Sequence, residues 1–282
     1  MTSPELGEAV NVVKVGKVTV GGSFPLVLIA GPCVIESRDD TLRIAESLAT
    51  VCSDTGIPLI FKSSFDKANR TSVESFRGPG IEAGLEVLAA VKDEFNIPVT
   101  SDIHEAGQVD SAVQVLDLLQ VPAFLSRQTD LLAAVSETGL PVNVKKGQFM
   151  SPWEVEAIKG KVRAGEGLLV TERGTTFGYN NLVVDYRSFP IIRGMGIPVV
   201  FDVTHSLQLP GGLGDRSGGM REFVPYLSRA AVSCGIDGLF MEVHPDPDNA
   251  PCDGPNMWPL DDLEELLETL CELDEKRAGD GV

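Results

Sequence analysis

The feature that most restricts the fold is a short unit that recurs four times: GIPL (56–59), NIPV (96–99), GLPV (139–142) and GIPV (196–199). Its Gly or Asn can adopt the left-handed conformation that closes a helix, and the Pro two residues later keeps the helix from resuming. A short apolar run follows each unit: LIFKS (59–63), VTSD (99–102), VNVKK (142–146) and VVFDV (199–203). These runs lack polar alternation, as expected of parallel strands covered on both faces. Four more runs complete a set of eight: LVLIAG (26–31), LLQV (118–121), LLVTE (168–172) and GLFMEV (238–243). Amphipathic stretches such as 42–53, 81–95 and 260–276 lie between them.

Eight strand–helix units in a chain of 282 residues predict an α/β protein, a single (β/α)8 TIM barrel domain over 1–282. An open doubly wound sheet is the alternative, but no GxGxxG follows any of the runs. Before the first unit, VVKVGKVTVGG (12–22) alternates apolar and polar residues with Gly at its turns and predicts an N-terminal β-hairpin. Residues from about 277 to 282 read as a flexible C-terminal tail.

The formal net charge is −18, which disfavours nucleic acid or an anionic membrane surface as partner. An anionic small molecule must therefore be held by cations gathered locally. The N-terminus, MTSPELGEAV, lacks the basic and apolar regions of a secretory signal, and no apolar run reaches the roughly 18 residues of a membrane span. A cytoplasmic protein is expected. Five cysteines (33, 52, 234, 252 and 271) are odd in number and scattered, so they are expected to be reduced thiols.

In a barrel of this kind, chemistry gathers just beyond the C-terminal ends of the strands. Those positions hold Cys33, Lys62, Asp102 with His104, Gln120, Lys145 with Lys146, Glu172 with Arg173, His205, and Glu242 with His244. The set contains every histidine of the chain. Two subsets separate by chemistry. Lys62, Lys67, Arg70, Lys145, Lys146 and Arg173 would converge on one mouth and suit phosphate and carboxylate groups. Cys33, His205, Glu242 and Asp253 come from strands 1, 7 and 8, which are neighbours in a closed barrel. One thiolate, one imidazole and two carboxylates suit a divalent ion such as Zn, Fe or Mn. No CxxC or HExxH pairs two of these ligands locally, and a lone Cys after a strand is more often a small buried apolar residue than a ligand. Cys52, Cys234 and Cys271 fall on helical stretches. Gly-rich loops at 78–84, 172–181 and 209–219 allow close approach of backbone to a ligand, or movement as a lid.

The motifs GPCVIES (31–37), FKSSFDKANRTS (61–72), SDIHE (101–105), RQTD (127–130), NVKKGQFMSP (143–152), RGTTFGYNNLVVD (173–185), DVTHSLQ (202–208) and HPDPDNAPCDGP (244–255) occur in that order. As a set they resemble the 3-deoxy-D-manno-octulosonate 8-phosphate (KDO-8-phosphate) synthases. The resemblance runs from about residue 12 to residue 275. It implies a transferase that condenses phosphoenolpyruvate with D-arabinose 5-phosphate and water, on the route to lipopolysaccharide. It implies Lys62, Lys67, Lys145, Gln148 and Arg173 around phosphoenolpyruvate, and Asn69, Arg70 and Thr71 around the pentose phosphate. Asp102 and His104 would lie beside the reacting centre. A homotetramer is implied, with Arg127 reaching across a subunit interface. Cys33 stands where the metal-free branch of the family has Asn, so the resemblance is to the metal-dependent branch, with His205, Glu242 and Asp253 as the other ligands. No organic cofactor is expected.

Three alternatives differ in outcome. A heptulosonate synthase would use a four-carbon sugar, but such enzymes carry a PRTS-type motif where this chain has ANRTS (68–72). A Schiff-base aldolase would use Lys62 or Lys145 as nucleophile. A non-catalytic binding protein would release no phosphate from phosphoenolpyruvate.

Overall fold

A computed structural model describes residues 9–70, 72–162, 167–211 and 218–280. The expected hairpin forms from β1 (Val12–Val15) and β2 (Val18–Gly21), antiparallel, with Gly16 at the turn in the left-handed region. Eight parallel strands then follow: β3 (Val27–Gly31), β4 (Leu59–Lys62), β5 (Val99–Asp102), β6 (Leu118–Val121), β7 (Val142–Lys145), β8 (Leu168–Glu172), β9 (Val199–Asp202) and β10 (Gly238–His244). Each pairs with its sequence neighbour, and β10 pairs with β3 to close the ring. The barrel expected from eight apolar runs is therefore the fold, and all eight strands end within a residue of the expected position.

The helix-stop units behave as their chemistry demands. Gly56, Asn96, Gly139 and Gly196 all have positive φ, between 51° and 76°. Gly56 and Asn96 terminate α1 (Arg38–Thr55) and α2 (Ile81–Phe95), and the Pro that follows sends the chain straight into the next strand. The start of α1 is set by Ser37, whose hydroxyl accepts from the main-chain N–H of Asp40 at 3.1 Å. Shorter helices cross over after the next strands: α3 (Val109–Ala112), α4 (Thr129–Ser136), α5 (Val155–Lys159) and α6 (Ser188–Arg193). A single turn, α7 (Val203–Ser206), follows β9 directly, ahead of α8 (Val224–Ser233).

Two main apolar cores result, beside a small cluster of Cys33, Val34, Cys252 and Met257. The larger lies between the barrel wall and the helices and includes Leu48, Leu88, Val135, Phe189 and Leu267. The smaller lies inside the barrel, where Val13, Val15, Val18 and Val20 of the hairpin pack on Ile29, Ile60, Leu118, Leu169, Val200 and Phe240. The hairpin thus stoppers the N-terminal end of the barrel with branched side chains, and the polar groups are left at the opposite end. The last helix, α9 (Leu263–Asp280), runs through 277–280, where the sequence predicts a tail. Asp274 anchors it by accepting from the main-chain N–H of Leu26 at 2.9 Å and from Arg277 at 2.7 Å. Residues 281 and 282 lie outside the described residues. Among the described residues, no helix is long and apolar enough to cross a membrane.

Candidate active site

A cleft of about 770 Å³ opens at the C-terminal end of the strands. Its walls include Lys62, Lys67, Asn69, Arg70, Asp102, His104, Lys145, Gln148, Arg173, His205, Glu242 and Asp253. The geometry follows from the strand ends. Lys62 is the last residue of β4 and Lys145 the last of β7, so each ammonium rises from the barrel wall into the mouth. Gly31, at the end of β3, permits this arrangement: a Cβ there would collide with the carbonyl oxygen of Lys62.

The cations are held by buried acids. Lys62 Nζ donates to Glu242 Oε1 at 2.8 Å and stands 4.0 Å from Asp102 Oδ2. Lys67 Nζ lies 3.6 Å from the same Glu242 oxygen, and Lys145 Nζ donates to Asp202 Oδ2 at 2.7 Å. Lys145 also sits 3.5 Å from the centroid of the Phe240 ring. Burial works against charge on Lys62, but Glu242 and Asp102 outweigh it and hold its pKa above the ordinary lysine value. Burial wins at Lys67 and at Arg173, whose pKa values fall below their ordinary ones. Asp102 and Glu242 are buried as well, yet Lys62 and Lys67 keep both carboxyl groups well below the usual carboxylate range.

Asp102 is fixed by a line of side-chain hydrogen bonds across four strands. Gln120 donates to it at 2.8 Å, Asn143 donates to Gln120 at 2.9 Å, and Thr171 donates to Asn143 at 2.8 Å. Ser64 supplies a second donor to Asp102 at 2.7 Å. Gln120, placed among the strand-end candidates by sequence, is wholly buried and belongs to this line.

Several polar atoms of the cleft have no partner. Half of the buried side-chain polar atoms left unpaired among the described residues belong to five of its residues: Arg70, His104, Gln148, Arg173 and Glu242. Buried polar groups are normally satisfied, so this concentration marks a place prepared for a polar ligand.

The second subset also converges. His205 Nε2 lies 3.7 Å from Glu242 Oε2 and 4.0 Å from Asp253 Oδ2. The orphaned Glu242 Oε2 faces that imidazole, and the donor set fits a borderline divalent ion. Cys33 Sγ is 3.2 Å from Asp253 Oδ2, but it is not a free thiol. It is joined to Cys252 in a disulfide, which corrects the expectation of five reduced cysteines; Cys52, Cys234 and Cys271 are free. The reason is topological. β3 and β10 are adjacent, so the segments beyond their ends meet although 219 residues separate the two cysteines. Cys33 can serve as a ligand only after reduction.

Other expected site residues fall elsewhere. Lys146 does not line the cleft; it is wholly buried behind it, 3.4 Å from Glu172 and donating to the Met150 carbonyl at 2.9 Å. Arg127 is exposed and is not part of the cleft wall within one chain, while Thr71 lies outside the described residues. His244 pairs with Glu36 at 3.1 Å. The cleft also has walls that sequence reasoning missed. Arg221, paired with Asp248, borders it, and Gln208 bridges Arg173 and Asp253 at 3.3 and 3.2 Å. Gln208 falls within the DVTHSLQ motif (202–208), which offered a signal, whereas Arg221 follows a long loop and offered none.

The chain is similar to known proteins over nearly its whole length. The profile of the DAHP synthetase I family matches residues 7–278. A 2-dehydro-3-deoxyphosphooctonate aldolase of Trichlorobacter lovleyi is 62% identical over 262 residues, covering 92% of this chain and 96% of that protein. Proteins of the same name from Geobacter metallireducens and Geobacter sulfurreducens are each 61% identical over 264 residues, covering 93% of this chain and 97% of theirs.

Proposed function

This chain belongs to the DAHP synthetase I family, and we propose that it condenses phosphoenolpyruvate with D-arabinose 5-phosphate and water, releasing KDO-8-phosphate and inorganic phosphate. It is a transferase, and its product serves lipopolysaccharide synthesis. Relatives that match end to end bear the name of this activity. The observation that carries the reading is the convergence of Lys62, Lys67, Arg70, Lys145 and Arg173 on one cleft, with unpaired polar atoms among them. Two phosphorylated reactants require such a cluster.

Lys62, Lys67, Lys145, Gln148 and Arg173 hold the phosphate and carboxylate of phosphoenolpyruvate. Asn69, Arg70 and Thr71 hold the pentose phosphate. C3 of the enol then attacks the sugar aldehyde while water adds at C2, and the resulting hemiketal phosphate expels phosphate. Orienting both reactants supplies much of the acceleration. The buried ammonium groups stabilise charge that develops at C2 and on the departing phosphate. Asp102, kept ionised by its lysine neighbours and held by Gln120 and Ser64, accepts a hydrogen bond beside the reacting carbon, next to His104.

Cys33 as a reduced thiolate, His205, Glu242 and Asp253 hold a divalent ion, Zn, Fe or Mn. Bound there, the ion supplies Lewis acidity for the sugar aldehyde or the attacking water. The assembly is a homotetramer in which the exposed Arg127 reaches the pentose phosphate of a neighbouring subunit, and the protein is cytoplasmic.

The test is product analysis with phosphoenolpyruvate and either arabinose 5-phosphate or erythrose 4-phosphate. Release of phosphate with the five-carbon sugar, and formation of an eight-carbon acid, are expected. Preference for the four-carbon sugar would overturn the assignment, and so would a substrate adduct trapped on Lys62 or Lys145 by borohydride.

A further inference from the structure

Asp202 touches both halves of the cleft and was passed over in the sequence. It ends β9, and its side chain is wholly buried. Oδ1 accepts from the main-chain N–H of His205 at 2.9 Å. Oδ2 lies 2.8 Å from His205 Nδ1 and 2.7 Å from Lys145 Nζ. One carboxylate therefore grips the histidine at two points and the lysine at a third. The far nitrogen of the same imidazole is the one that faces Glu242 Oε2 and Asp253 Oδ2.

We propose that Asp202 is a positioning residue that joins the ion site to the anion site, setting the tautomer of His205 while tethering Lys145, so that affinities for the divalent ion and for phosphoenolpyruvate depend on one carboxylate. The proposal rests on the function proposed above. An ionised carboxylate only accepts hydrogen bonds, so the neutral imidazole carries its proton on Nδ1 and leaves the Nε2 lone pair for the ion. The Lys145 ammonium is also a pure donor, and it is held by the same oxygen at the edge of the cleft. An asparagine cannot satisfy this arrangement. With its amide nitrogen in place of Oδ2, two donors face a donor; the imidazole relieves the clash by moving its proton to Nε2, where it blocks the ion. Turned the other way, the amide opposes the His205 main-chain N–H and undoes the cap on α7.

The test compares Asp202→Asn with the unsubstituted protein, both kept reduced with a dithiol. Co(II) affinity is measured by chelator competition and by the visible absorption of the bound ion. Phosphoenolpyruvate affinity is measured by calorimetry on ion-free protein. Removal of an outer carboxylate partner of a ligating histidine typically costs about 10–100-fold in metal affinity, and that loss is expected here, together with at least a tenfold loss for phosphoenolpyruvate. Loss of only one affinity, or of neither, overturns the proposal while the function stands. An unsubstituted protein that takes up neither ligand overturns both. Should the variant fail to fold, ring-nitrogen NMR on the unsubstituted, ion-free protein decides, since only three histidines must be assigned. A proton on Nδ1 of His205 is expected, alone or with a second on Nε2, and a ring protonated on Nε2 alone overturns the proposal.

Discussion

Cys33 is bonded to Cys252, and the sulfur so engaged lies 3.2 Å from Asp253, beside the histidine and glutamate that face one another across the proposed ion site. A sulfur in a disulfide is not a thiolate donor. Reduction by a dithiol, which becomes a cyclic disulfide while two thiols form on the protein, should therefore raise ion uptake. Divalent-ion content and thiol count are expected to rise together after treatment with dithiothreitol. Equal ion content before and after reduction would remove Cys33 from the ligand set.

Glu242 is the shared counterion of Lys62 and Lys67. Glu242→Gln keeps the shape but leaves two buried ammonium groups facing each other with one fewer acid. Breaking such a pair costs about 3–5 kcal/mol, so a clear fall in Tm is expected. An anion restores the missing negative charge, so phosphoenolpyruvate should raise the Tm of the variant more than that of the unsubstituted protein. A smaller rise in the variant would argue against these lysines as the anion site.

Burial lowers the pKa of Lys67 below the ordinary lysine value. Its ammonium is therefore present at low pH and is lost, as pH rises, earlier than that of an exposed lysine. Calorimetric titrations across alkaline pH should show phosphoenolpyruvate affinity falling before ordinary lysines discharge. Lys67→Arg should move the fall to higher pH, and an unmoved limb would assign the titration to another group.

Gly31 lies against the Lys62 carbonyl, where no side chain fits. Forcing a methyl group into such a contact costs about 1–3 kcal/mol and must push β3 and β4 apart. Gly31→Ala is expected to lower Tm and to raise the KM for phosphoenolpyruvate, because Lys62 moves with its strand. An unchanged KM alongside a lowered Tm would separate the contact from substrate binding.

Arg127 lies on the surface outside the cleft of its own chain. If it serves a neighbouring subunit, Arg127→Ala should raise the KM for arabinose 5-phosphate several-fold and leave that for phosphoenolpyruvate near its starting value. Sedimentation equilibrium should report a tetramer for both proteins. A monomer that retains the low KM would contradict the shared site.

Much of this architecture could be read before any coordinates. The barrel followed from local chemistry: Gly56 and Asn96 end α1 and α2 through their own φ preference, Gly139 and Gly196 take the same left-handed turn three residues past α4 and α6, and the Pro two residues later keeps each helix from resuming. The sites were legible to the extent that strand ends face one rim, so Lys62, Lys145, His205 and Glu242 could be collected by position alone. Lys146 shows the limit of that rule. Successive residues of an extended chain point to opposite faces, and only the packing reveals that Lys145 faces the cleft while Lys146, just past the end of β7, lies 3.4 Å from Glu172 behind it.

Backbone propensity and alternation act between near neighbours, and these written-in preferences were enough to set the elements, their order and the end that carries charge. Pairings between distant positions needed the closed ring. The disulfide of Cys33 with Cys252, the hold of Glu242 on two lysines and the bond from Lys145 to Asp202 depend on side-chain distances of a few ångströms. Such distances arise only when eight strands close and bring remote segments into contact, and no local preference encodes them.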